Sequence, residues 1–164
     1  MIRSFLKADE GLYQIEAFCI KLLVPVMILI TFLQVIFRYA LGAPLPWSEE
    51  LAIYLFIWVA FLGASVGIRN KGHYGLEIVK NKLPLKVQGV FNLFIYLVSF
   101  YFLAAITFYG AKMVFSSRNV SGSMGISMRW FYSAIPVGGL FMIVHLLSIL
   151  CRGKEILSSA RKEA

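Results

Sequence analysis

Arg38-Tyr39-Ala40-Leu41-Gly42-Ala43-Pro44-Leu45-Pro46-Trp47-Ser48-Glu49-Glu50 separates two long apolar runs. It holds one cation, two adjacent anions, two prolines and a tryptophan. Such a stretch is too polar for hydrocarbon and too short to be a domain. It reads as a tight hairpin between two membrane helices. Pro44, Pro46 and Ser48 punctuate a helix start. Glu49 and Glu50 then fall in a first turn, where carboxylates favour the positive helix end. Neighbouring residues on a helix point about 100° apart, so the two carboxylates make a poor catalytic pair.

The apolar runs on either side are typical of the whole chain. Of its 164 residues, 60% are hydrophobic, whereas a soluble domain has roughly 45–50%. A spanning helix takes about 20 apolar residues, so the length accommodates four spans with short loops and leaves no room for a soluble catalytic domain. An enzyme is not expected. The net charge of +8 would suggest nucleic-acid binding in a soluble protein. Here the basic residues flank apolar runs, so they read as topology signals and no nucleic-acid partner is expected. Cys19 and Cys151 lie near ends of apolar segments without CxxC spacing, which argues against a zinc site or a disulfide. Ala40-Leu41-Gly42 loosely resembles a signal-peptidase site, but the run before it exceeds the roughly 7–15 residues of a signal peptide.

The pattern predicts an all-α integral membrane protein forming one membrane domain over residues 1–164, with spans at 17–37, 51–68, 87–111 and 130–151. Residues 1–16 mix Ile2, Phe5, Leu6 and Tyr13 with charges, as in a short helix lying at the interface or a frayed terminus. In the first span Lys21 can snorkel, Pro25 is placed in the first turns, and Gln34 is the single amide. The second span carries a seam of Ala60, Gly63, Ala64 and Gly67. Gly63 and Gly67 have the small-xxx-small spacing that lets helices approach closely, within this chain or with another subunit. Residues 69–86 form a basic loop in which Lys80, Lys82 and Lys86 can face anionic lipid headgroups or simply solvent. The third span is long enough to tilt. Residues 116–127 are a Gly/Ser/Asn-rich connector, and Pro136 with Gly138 and Gly139 predicts a kink in the fourth span.

Orientation follows the Lys/Arg bias. Twelve such residues flank one side: Arg3, Lys7 and Lys21, five in the middle loop and four in the carboxyl tail. Only Arg38, Lys112, Arg118 and Arg129 flank the other. Both termini are therefore expected in the cytoplasm and the Arg38–Glu50 hairpin outside. There Arg38 sits on the side that cations avoid, which predicts a charge pair with Glu49 or Glu50, or with a partner.

The middles of the four spans contain no Asp, Glu, Lys or Arg, although transporters and proton pumps usually carry such groups. His73 falls in a loop and His145 near a span end, where both read as ordinary interfacial histidines rather than a haem pair. Trp47 and Trp130 flank spans as an aromatic belt does, and Trp58 lies deeper as a packing residue. These features favour a membrane protein that binds protein over one that passes solute through itself.

The ordered set Phe37-Arg38-Tyr39, Pro44-Leu45-Pro46-Trp47-Ser48-Glu49-Glu50-Leu51, Phe61-Leu62-Gly63-Ala64, Arg69-x-x-x-His73 and Tyr132-x-x-x-Pro136-x-Gly138 resembles the small membrane subunit of tripartite ATP-independent periplasmic (TRAP) transporters, the DctQ-like or Q subunit. The resemblance covers about residues 15–150. It implies an accessory subunit in a bacterial inner membrane that braces the scaffold of a large membrane subunit. It also implies a periplasmic substrate-binding protein as a further partner and sodium-driven import of an organic acid such as sialic acid or a C4-dicarboxylate. Sodium would bind in the large subunit, leaving this chain without a cofactor, metal or catalytic residue. Arg38, Trp47, Glu49, Glu50, Trp58, Gly63, Gly67, Arg69 and His73 become structural or interface residues. The competing readings are a self-contained four-helix transporter or channel and a haem-binding membrane anchor.

Overall fold

The computed structural model describes the backbone of residues 2–70 and 85–160 and the side chains of residues 4–70 and 88–152. The described residues form α1 (Ile2–Tyr39), α2 (Pro46–Arg69), α3 (Leu85–Ser116), the single-turn α4 (Arg129–Tyr132) and α5 (Ala134–Ala160). Four helical stretches are long and apolar enough to cross a membrane: Ser4–Tyr39, Pro46–Arg69, Gln88–Ser116 and Arg129–Arg152. His73, Lys80 and Lys82 lie outside the described residues. Lys86 falls in the first turn of α3, and its side chain is outside them too.

The helices pack in the spatial order α1, α2, α5, α3. Both α2 and α3 pack along α5, α1 packs along α2, and α1 touches α5 over a smaller area. Among the described residues α3 meets neither α1 nor α2. Such a row leaves long outer faces. Phe18, Leu22, Phe32, Val90, Phe94 and Phe108 all lie exposed, which in water would be an untenable apolar patch and in a bilayer is ordinary. The apolar core is correspondingly small: Leu103, Met142 and Leu146, flanked by Phe61, Ile68, Tyr96 and Ile143.

Three local readings change. First, the described residues 2–16 of the N-terminal segment are neither a separate interfacial helix nor a frayed end. They continue into the first span as one 38-residue helix, about 57 Å long at ~1.5 Å per residue against a hydrocarbon core of ~30 Å. Second, Pro25 therefore sits mid-helix, where it cannot donate to the Lys21 carbonyl four residues earlier. Third, the break near the fourth span falls at Ser133, before Pro136. A proline ring clashes with the carbonyl four residues back, here that of Tyr132, so α4 ends there and Pro136 lies in the first turn of α5. Ser133 bridges the two, donating its amide to the Arg129 carbonyl and its hydroxyl to that of Trp130.

The hairpin joins α1 to α2 as expected. Gly42 adopts a left-handed φ of 64°, a conformation that glycine takes without a steric penalty. The turn brings the Ala43 amide back to the Phe37 carbonyl at 3.0 Å. Leu45, confined between two prolines, is extended. Pro46 then opens α2, where a missing N–H costs nothing. The Ser48 hydroxyl and amide both donate to the Leu45 carbonyl.

The close-packed glycines are not those of the α2 seam. A Cβ on Gly63 or Gly67 would meet nothing within 4 Å, and Ala60, Gly63 and Ala64 are exposed. Among the described residues the tight approaches belong to Gly138, whose Cβ would lie 2.7 Å from that of Phe61, to Gly139 against Thr107, and to Gly110 against Ile135. The α2 seam therefore opens outward.

Candidate functional site

Two polar constellations close the bundle, one at each end. The larger lies where the N-terminal half of α1 meets the C-terminal ends of α2 and α5. Asp9 and Glu16 are seven residues apart on α1, two turns along one face. Ser65 and Arg69 are four apart on α2, and His145 and Arg152 seven apart on α5. Each helix thus presents a polar stripe at one end, and packing brings the three together.

His145 is the centre. Its side chain is fully buried, and its two ring nitrogens face two carboxylates, Nδ1 to Asp9 Oδ1 at 2.6 Å and Nε2 to Glu16 Oε2 at 2.8 Å. With both carboxylates ionised, when they only accept, both ring nitrogens donate and the ring is an imidazolium. The remaining oxygens are also taken. Asp9 Oδ2 accepts from Arg69 Nε at 3.2 Å and from Arg152 Nη2 at 2.8 Å, and Glu16 Oε1 accepts from the Ser65 hydroxyl at 2.7 Å. Arg69 also donates from Nη2 to Glu10 at 2.5 Å, and its guanidinium stacks 4.0 Å over the Tyr13 ring. Asp9, Glu10 and Glu16 then balance Arg69, Arg152 and His145. Buried charge persists only when it is paired and hydrogen-bonded in this way.

The second constellation organises the opposite end around Glu50. Its Oε1 accepts from the Tyr54 hydroxyl at 2.7 Å. Its Oε2 accepts from the Ser121 hydroxyl at 2.6 Å and from the Ser123 amide at 3.0 Å. The 117–128 connector is thereby closed into a compact loop. Val120 and Ser127 form an antiparallel bridge, Gly125 turns with a φ of 66°, and Arg129 Nε donates to the Ser117 carbonyl at 2.6 Å. Tyr54 stacks on Phe131 with ring centroids 3.5 Å apart, which ties α2 to α4. Glu50→Ala is expected to leave the helices in place and loosen this loop. Amide exchange at Ser123 and Met124 and proteolytic nicking between residues 117 and 128 should both rise severalfold; unchanged exchange would show that the carboxylate does not hold the loop.

Neither expected pair within the chain, Arg38 with Glu49 or with Glu50, forms among the described residues. Glu50 is spent on α2 and the connector, and among the described residues no carboxylate comes within ion-pair distance of Arg38. Arg38 and Glu49 instead line one cleft, with Gln34 donating to Glu49 over a long 3.5 Å. Trp47 is exposed beside the hairpin and Trp58 is half-buried in mid-span. Arg69 is drawn into the buried network. Asp9, Glu16 and His145 were not legible as a site, because charges near a terminus and a histidine near a span end read as solvated. The seven-residue spacings were the available signal. Among the described residues no three His, Cys, Asp or Glu are arranged to hold a metal ion, and the nitrogens of His145 that could bind iron are both engaged.

Comparison with known proteins adds the family. The sialic acid TRAP transporter small permease protein SiaQ of Vibrio cholerae is 29% identical over 139 residues, 80% of this chain and 76% of that protein. The sialic acid TRAP transporter permease protein SiaT of Haemophilus influenzae is 31% identical over 115 residues, 70% of this chain but 19% of that longer protein. The C4-dicarboxylate TRAP transporter small permease protein DctQ of Rhodobacter capsulatus is 31% identical over 111 residues, 66% of this chain and 49% of that one. The chain thus spans three quarters of SiaQ, half of DctQ and a fifth of SiaT. Residues 27–154, most of the chain, match the family described as the DctQ component of tripartite ATP-independent periplasmic transporters. With its four apolar helices, this chain therefore belongs to the DctQ family of TRAP transporter components.

Proposed function

We propose that this chain is the non-enzymatic small membrane subunit of a TRAP importer, bracing the fixed scaffold of a large transport subunit during sodium-driven uptake of an organic acid. Sialic acid and C4-dicarboxylates are the first substrate classes to test, since they appear in the names of several relatives. The observation that carries the reading is the saturation of Asp9, Glu16 and His145 by one another and by Arg69, Arg152 and Ser65. A substrate or coupling-ion site needs accessible polar groups, whereas these are buried, with both ring nitrogens and all four carboxylate oxygens bonded to other helices of this chain. The match to a fifth of the longer SiaT supports pairing with a large membrane subunit, and the outward α2 seam offers a close-approach face for it. The periplasmic binding protein and bilayer lipids complete the partner set, with sodium bound in the large subunit.

The Lys/Arg bias supports an inner-membrane orientation with both termini cytoplasmic, which places the His145 network on the cytoplasmic side and the Glu50 loop outside. Alkaline phosphatase fused at the C-terminus should be inactive, and periplasmic activity there would reverse the orientation. The functional test is co-purification with the large subunit followed by sodium-gradient uptake in liposomes that also receive the binding protein. Uptake is expected from the two membrane subunits together, with little from the large subunit alone. Uptake by this chain without the large subunit would overturn the proposal.

A further inference from the structure

A cleft of about 280 Å³ opens between the last turns of α1 and the hairpin, lined by Gln34, Arg38, Pro44, Leu45, Pro46 and Glu49. It holds a cation from the α1 side and an anion from the α2 side, both exposed, that do not neutralise each other. Arg38 meets no carboxylate within ion-pair distance among the described residues, and its guanidinium lies 5.9 Å from the Tyr39 ring, the outer limit of a cation–π contact. Glu49 has the Gln34 amide at 3.5 Å, the outer limit of a hydrogen bond. The depth of the cleft is marked independently. Tyr39 and Trp47 stand exposed around it, as aromatic residues do at the level of lipid headgroups. Away from the hairpin, α1 presents the exposed apolar side chains of Phe32, Val35 and Ile36.

We propose that this cleft is a headgroup site for a zwitterionic aminophospholipid, with the Arg38 guanidinium on the phosphate, the Glu49 carboxylate on the ammonium, and the acyl chains along the exposed face of α1. The chemistry selects among lipids. Phosphate suits the planar fork of Arg38. Glu49 needs a cation that donates N–H bonds, which ethanolamine supplies, choline does not, and glycerol lacks altogether. The inference requires only that the helices sit in a bilayer, and it is independent of the transported substrate and of which way the chain faces.

The test is native mass spectrometry of the delipidated full chain, titrated with phosphatidylethanolamine, phosphatidylcholine or phosphatidylglycerol carrying the same acyl chains. The ethanolamine lipid should bind about tenfold more tightly than either other lipid, as the gain of one charge-assisted hydrogen bond implies. Glu49→Gln should erase that preference, Arg38→Ala should weaken the binding of all three lipids, and Arg38→Lys should keep part of the affinity. The comparison of lipids on the unaltered chain needs no variant, so a variant that misfolds does not remove the test. Equal binding of the three lipids would overturn the proposal, as would a preference that survives Glu49→Gln or lipid binding that Arg38→Ala leaves unchanged. So would loss of the large subunit on co-purification with lipid binding unchanged, since the two charges would then face protein.

Discussion

Replacing His145 by alanine is expected to cost the folded bundle about 3–5 kcal/mol, the range for breaking a buried ion pair by removing one partner. The substitution leaves the carboxylates of Asp9 and Glu16 buried, with one oxygen of each stripped of its donor. Arg69 and Ser65 still serve the other oxygens, but neither reaches the vacated side. Other members of the network should cost less. Arg152 is 44% exposed, so its bond to Asp9 is largely replaceable by water and Arg152→Ala should fall near the 0–1 kcal/mol of a surface pair. Equilibrium unfolding of the detergent-solubilised chain measures the series. Charge and cavity effects separate in a triple variant, His145→Leu with Asp9→Asn and Glu16→Gln. It removes the three charges at Asp9, Glu16 and His145 while keeping most of the volume, and should recover part of the loss, since no carboxylate is left buried without its donor while Arg69 keeps only Glu10 as its ion-pair partner. If His145→Ala alone proves harmless, the network does not hold the helices together.

Enlarging Gly138 or Gly139 is the second large effect. A Cβ at Gly138 would sit 2.7 Å from the Phe61 Cβ and 3.4 Å from its carbonyl carbon, so it meets the root of a side chain and the backbone behind it. Neither can rotate away. At Gly139 the obstacle is the Thr107 hydroxyl, which is held in place by its bond to the Leu103 carbonyl at 2.7 Å. Gly138→Ala or Gly139→Ala must therefore move α5 from α2 or α3, at about 1–3 kcal/mol for overpacking. Gly63→Ala carries the opposite sign. With open space around it, the change should stabilise the isolated chain by up to about 1 kcal/mol through helix propensity. Unfolding of the three single variants checks the contrast, and equal signs at Gly63 and Gly138 would contradict the packing described.

The hairpin between α1 and α2 shows where local chemistry suffices. Gly42 permits the left-handed turn, and Pro46 and Ser48 start the next helix within a few residues of it. The reading of Arg38-to-Glu50 as a connector needed no distant partner. The fate of Glu50 did, because its acceptors are filled by Tyr54 one turn away and by Ser121 and Ser123 from a loop some 70 residues later. A counter-ion for Arg38 was the natural expectation from spacing alone, yet two hydroxyls and an amide proved the better-placed donors. Gly63 and Gly67 illustrate the same limit, since their spacing announces a close-approach face without saying what approaches it.

The sequence by itself determined the membrane class, the number of spans, the hairpin and the family pattern. Hydropathy, helix termini and turn residues act over one or two turns of chain and are written in neighbouring positions. Only the tertiary structure decided that Asp9, Glu16, Arg69 and His145 form one buried network edged by the exposed Arg152, and that Gly138 and Gly139, rather than Gly63 and Gly67, carry tight packing within this chain. Asp9 and His145 are 136 residues apart, and nothing local distinguishes a carboxylate that will face water from one that will face an imidazolium. That difference is set by which helix faces meet.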